Sequence, residues 1–136
     1  MVRSLHWYNV LEFSNKIALL PSGYVDYLEK KYSVLNEALH LDVPIRINDF
    51  KAIEAAILKN NAFSELDQLA ILADKYYPKS MLAEYELGLM YEKQEDYKKA
   101  MKRYQNASQM QEIGALTKTM MLEKYDLMLS KNAPKK

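Results

Sequence analysis

The chain has 136 residues, 19 basic and 18 acidic, for a formal charge of +1, and 49% of it is hydrophobic. That length fits one domain with a real core, and the near balance of charge argues against an electrostatic nucleic-acid binder. The absence of cysteine excludes a disulfide framework, thiol catalysis and zinc sites of cysteine type, while three Gly and four Pro among many Leu, Ala, Met, Lys and Glu favour an all-α fold.

Ser4 to Phe13 (SLHWYNVLEF) predicts a short amphipathic helix. Leu5, Tyr8 and Leu11 recur at helical spacing, and Ser4 can cap it. The N-terminus lacks the charged start, apolar run and small-residue cleavage site of a signal peptide. Residues 14–23 form an apolar connector that breaks at Pro21-Ser22-Gly23. Its Ile17-Ala18-Leu19-Leu20 run is far short of the roughly 20 apolar residues that span a membrane. The compartment is left open.

Tyr24 to Leu39 predicts a strong helix, with Tyr24, Leu28, Tyr32, Leu35 and Leu39 as its apolar stripe. Asp42 to Arg46 should be extended, because Pro44 biases Val43 away from the helical region. Asn48 to Pro78 predicts a helical hairpin, with Ser64-x-x-Asp67 as a capping-box pattern for its second helix. Met81 to Ala107 predicts a second hairpin, turning at Glu95-Asp96. Ala115 to Leu129 predicts a last helix, with Leu116, Met120, Tyr125 and Leu129 available for packing. The eleven tyrosines suit helix packing, wedging between helices while the hydroxyl reaches the surface.

The second hairpin, MLAEYELGLMYEKQEDYKKAMKRYQNA, resembles a tetratricopeptide repeat. That class uses a 34-residue period with small and aromatic residues at fixed offsets. Leu87, Gly88 and Tyr91 match its first-helix positions, and Ala100, Tyr104 and Ala107 its second. Gly88 and Ala100 are small where two helices would cross closely. Glu84 replaces the consensus Trp and Glu112 the closing Pro. One period earlier, Phe50, Ile57, Ala70, Ala73 and Pro78 fill corresponding positions, while Glu54 stands where Gly88 would be. The resemblance implies a right-handed stack of helical hairpins with flanking N- and C-terminal helices. Residues 1–23 would be an N-terminal segment and 24–136 the helical domain. The repeats would run over about 47–80 and 81–114, with a capping helix at 115–129.

Nothing in the chain predicts catalysis. His6 and His40 are the only histidines, and no Gly-x-Ser-x-Gly turn accompanies them. No spacing of His, Asp or Glu suggests a metal, and no Gly-rich loop suggests a phosphate or other cofactor. The first-helix residues facing the inner surface of such a stack are the candidate partner-binding face: Lys51 and Leu58 with Ala55 and Lys59 in the earlier copy, and Leu82, Tyr85, Leu89, Glu92 and Lys93 in the later. Its apolar members either hold a peptide or partner helix or are covered by the chain's own Tyr24–Leu39 helix. Self-coverage is favoured because two hairpins make a shallow groove.

The order of the pieces carries a second resemblance. Ser4 to Phe13, the Tyr-Leu-Glu-Lys-Lys-Tyr-Ser-Val-Leu helix, the Leu41-Asp42-Val43-Pro44-Ile45 linker and the hairpins together resemble the C-terminal end of esterases of the α/β-hydrolase fold, relatives of ferric-siderophore esterases. Tyr8, Asn9, Leu11 and Phe13 match that family's final hydrolase helix. The resemblance implies a non-catalytic module following a serine hydrolase, whose catalytic histidine would lie upstream of Met1; His6 does not match it. The expected partner is then a protein or peptide, an attached or neighbouring hydrolase domain among them, and not nucleic acid or membrane. A homodimer is compatible with this reading, and a stand-alone adaptor is the alternative.

Overall fold

A computed structural model describes residues 16–132. The expected helix at Ser4–Phe13 lies outside them. Six α-helices follow one another: α1 Tyr24–Leu39, α2 Ile47–Lys59, α3 Glu65–Tyr76, α4 Leu82–Lys93, α5 Tyr97–Ser108 and α6 Lys118–Asn132. No strand occurs among the described residues, so the fold is all-α. The chain divides into two compact units, Met1–Ala62 and Phe63–Lys136. The division falls between α2 and α3, within the stretch expected to form the earlier hairpin.

In the first unit, residues 16–19 make a helical turn, and the Tyr24 hydroxyl donates to the Leu20 carbonyl at 2.6 Å. Gly23 then adopts φ 75°, a left-handed conformation that an L side chain rarely takes, which is why the break falls there. α1 buries Tyr24, Val25, Leu28 and Tyr32. The expected stripe does not run to the end: Leu39 is 54% exposed. The chain turns away at His40, which closes the helix in the left-handed region at φ 51°. The turn is held by Asn36, whose side-chain amide accepts from Val43 N–H at 2.8 Å and donates to the Val43 carbonyl at 3.0 Å. Both bonds clamp the residue that Pro44 holds extended. α2 packs against α1 and buries Phe50, Ile53, Ala56 and Ile57. The Tyr32 hydroxyl ties the two helices together. It donates to Asp49 Oδ2 at 2.5 Å and accepts from Arg46 N–H at 3.1 Å. Burial first, and the bond to Asp49 second, push its pKa up to about 12.

In the second unit α3 packs on α4, α4 on α5 and α5 on α6. The Ser64-x-x-Asp67 capping box does not form. Ser64 has helical angles, φ −62° and ψ −23°, and makes no side-chain cap bond; an N-cap needs an extended backbone to aim its oxygen at the helix. At the next hairpin Asp96 does cap α5, accepting from Lys99 N–H at 3.3 Å. α6 also differs from expectation. Residues 113–116 form a bridged turn, and the helix starts only at Lys118. Its buried residues are Met121 and Met128, with Leu129 49% exposed. Glu112 accepts from Lys118 N–H at 2.8 Å, and Thr117 accepts from Met120 N–H at 3.2 Å. Together they satisfy donors that a helix start leaves open.

Candidate functional site

The best-defined side-chain arrangement lies where α4, α5 and α6 meet. Gly88 on α4 faces the ring of Tyr104 on α5. A Cβ at Gly88 would lie 2.6, 2.8 and 2.9 Å from three of its ring atoms, where carbon contacts ordinarily settle near 3.5–4.0 Å. Ala100, Tyr104 and Ala107 are all fully buried along the same face of α5. Small residues thus let the two helices close, and the phenol fills the remaining space.

The Tyr104 hydroxyl does not stop at the core. It donates to Glu92 Oε1 at 2.7 Å, and Lys124 Nζ on α6 approaches the same carboxylate oxygen at 3.5 Å. That ammonium also lies 5.6 Å from the Tyr104 ring centroid. One carboxylate therefore joins three helices through a buried phenol and a cation, each making two contacts. On the neighbouring flank Arg103 reaches both oxygens of Glu84 at 3.2 and 3.3 Å. Glu84 stands at the position where the repeat resemblance would expect Trp. An ion pair between the two helices occupies its place.

The seven residues of the candidate partner-binding face fall in both units. In the first unit Lys51 is exposed and Leu58 half-buried. In the second, Leu82, Tyr85 and Leu89 are 4%, 8% and 3% exposed, so their apolar surface is closed to solvent. Tyr85 lies 6.3 Å from Tyr104, centroid to centroid, with tilted planes. Glu92 is engaged in the three-helix network, and Lys93 is exposed. Of these seven residues, Lys51 and Lys93 are the exposed ones.

Sequence reasoning missed the Glu92–Tyr104–Lys124 network. The spacing of Glu92 and Tyr104 crosses a hairpin turn, and Lys124 lies on another helix, so no single periodicity links them. It also missed Glu86, a carboxylate buried to 1% exposure in α4. No helix among the described residues is long and apolar enough to cross a membrane. Among them there is also no group of three His, Cys, Asp or Glu placed to hold a metal ion. His40, the histidine that the structure describes, is an exposed helix cap.

The arrangement defines an all-α protein whose best-defined geometry is packing and inter-helix bonding. Among solved structures it is similar to the crystal structure of an uncharacterised protein from Capnocytophaga ochracea DSM 7271, with 29% sequence identity and a TM-score of 0.80. The match covers 88% of this chain and 33% of that one, so this chain spans about a third of the solved protein's length. No family model and no curated protein matches the sequence.

Proposed function

We propose that this chain is a non-catalytic, tetratricopeptide-like interaction and spacer module, and that it serves as the C-terminal domain of a serine esterase of the α/β-hydrolase fold. The observation that carries the repeat reading is the Gly88–Tyr104 contact. Small-against-aromatic packing occurs at the two offsets where that repeat class places it. Further support comes from the sequential packing of α3 on α4, α4 on α5 and α5 on α6. The esterase reading rests on the order of the pieces and on Ser4–Phe13.

In this role the chain performs no chemistry. It packs on the hydrolase, spaces it from a partner, or shapes access to its active site, and its partner is a protein surface. The coding sequence directly upstream tests the reading. It should continue in frame into a hydrolase carrying Gly-x-Ser-x-Gly, with a histidine in a loop shortly before Met1. An unrelated or closed upstream frame would leave the stand-alone adaptor in its place.

A further inference from the structure

α6 packs on α5 and buries Met121 and Met128. Each residue of a helix turns about 100° from the last, so Leu122 points to the flank of that seam, where it is 43% exposed. Lys118 and Asp126 lie four residues either side of Leu122, Thr119 and Tyr125 three, and Leu129 seven beyond it. Those spacings put all six on one face of α6. Leu129 is 49% exposed, Lys118, Thr119 and Asp126 are exposed, and Tyr125 is half-buried. Among the described residues neither Lys118 nor Asp126 has an ion-pair partner. The face is an apolar centre with a free cation toward one end and a free carboxylate toward the other.

We propose that a second copy of this chain covers this face, with α6 lying antiparallel on α6 of the other copy about a two-fold axis at Leu122. The face is its own complement about that residue. In a two-fold pair, positions equally far before and after the axis come together. Leu122 then meets Leu122, Lys118 of each copy meets Asp126 of the other, and each Tyr125 covers the opposite Thr119. Two ion pairs flank one apolar contact. A parallel pairing in register would set Lys118 against Lys118 and Asp126 against Asp126, so charge selects the antiparallel arrangement. The helix dipoles oppose one another in the same arrangement. One helix face against another buries less than the roughly 1,200 Å² of a standard interface, so the dimer is weak and depends on its charges. This contact is independent of the esterase reading, because both faces belong to this chain.

Analytical ultracentrifugation of the full chain at high micromolar concentration should show a monomer–dimer equilibrium that weakens with added salt. Lys118→Asp leaves only carboxylates on the face and Asp126→Lys only ammonium groups. Each variant alone should therefore associate about tenfold more weakly or less, while an equal mixture of the two recovers the dimer. Both positions are exposed, so the far-ultraviolet dichroism of each variant should stay native and separate lost pairing from lost fold. The chain has no cysteine, so Leu122→Cys carries a single thiol, which should cross-link to its own copy under mild oxidation. Leu127→Cys, on another flank of α6 and 48% exposed in the native chain, should cross-link far more slowly. Four results would overturn the proposal: a native chain that stays monomeric, single variants that pair as the native chain does, a mixture no more dimeric than its components, or equal cross-linking at the two cysteine positions.

Discussion

Replacing Gly88 with Ala pits two effects of opposite sign against each other. In an exposed helix interior the change stabilises by about 1 kcal/mol, because Gly has the larger backbone entropy to lose. Here the added Cβ would meet Tyr104 ring atoms at 2.6–2.9 Å. Relief needs a shift of about 1 Å to reach ordinary contact. The ring has little room for it: Tyr104 is fully buried, its hydroxyl is bonded to Glu92 at 2.7 Å, and Lys124 lies over its face. Overpacking at so fixed a site falls toward the upper end of the usual range of about 1–3 kcal/mol. The net expectation is a loss of about 2 kcal/mol, or a fall of about 1 M in the urea midpoint followed by dichroism at 222 nm. The double variant sharpens the test. Tyr104→Val ends at its γ carbons and removes all three clashing atoms. In that background Gly88→Ala should stabilise, by up to about 1 kcal/mol. If Gly88→Ala raises the midpoint in the native background, the close crossing of α4 and α5 is not there and the argument fails.

Tyr32 makes stability depend on alkaline pH. Its pKa is raised to about 12 in the fold, against an ordinary unfolded value near 10. The stabilisation is therefore complete below pH 10 and drains away as pH rises toward 12, by on the order of 2 kcal/mol. Urea midpoints across that window should fall less steeply for Tyr32→Phe than for the native chain. Glu95 holds φ 62° at the hairpin turn, so Glu95→Gly should raise the melting temperature, with a gain of about 0.5–1 kcal/mol. Lowered stability would show that the glutamate side chain contributes more than its backbone strain costs. Finally, the isolated chain should not hydrolyse p-nitrophenyl esters, and His6→Ala should not alter that. A saturable turnover abolished by His6→Ala would overturn the non-catalytic reading.

Local punctuation made the first helix legible. Gly23 and Pro44 bracket α1, and the helix runs over Tyr24–Leu39 as its pattern predicts. Gly88 was equally legible, since a small residue at a fixed offset from Tyr104 has a direct packing meaning. α6 was not. Met120, Met121, Leu122, Tyr125, Leu127, Met128 and Leu129 put apolar side chains nearly all round the helix, so periodicity could not say which face is inward. The structure settles on Met121 and Met128. The capping box at Ser64 failed for a different reason: the motif specifies residue types, whereas the cap depends on a backbone angle that the Phe63–Ser64 turn does not supply. The Glu92–Tyr104–Lys124 site lay beyond reach because it needs three helices in place before any pair of its residues is near.

The segments before α4 and α6 are joined to each other, and this governs where the chain can lengthen. Met81 N–H donates to the Gln111 carbonyl at 2.8 Å, and Gln111 N–H donates to the Lys79 carbonyl at 3.1 Å, as Ser80 and Gln111 pair in parallel. Surface connections usually absorb insertions at little cost. Here one extra residue on either side would slip that pairing out of register, while the Gln94–Glu95 turn has no such mate and faces water. Length variation among proteins built this way should therefore gather at the hairpin tips and be rare at the joints between hairpins. Those joints act as a ruler for the array, and the tips are where new sequence can be grafted.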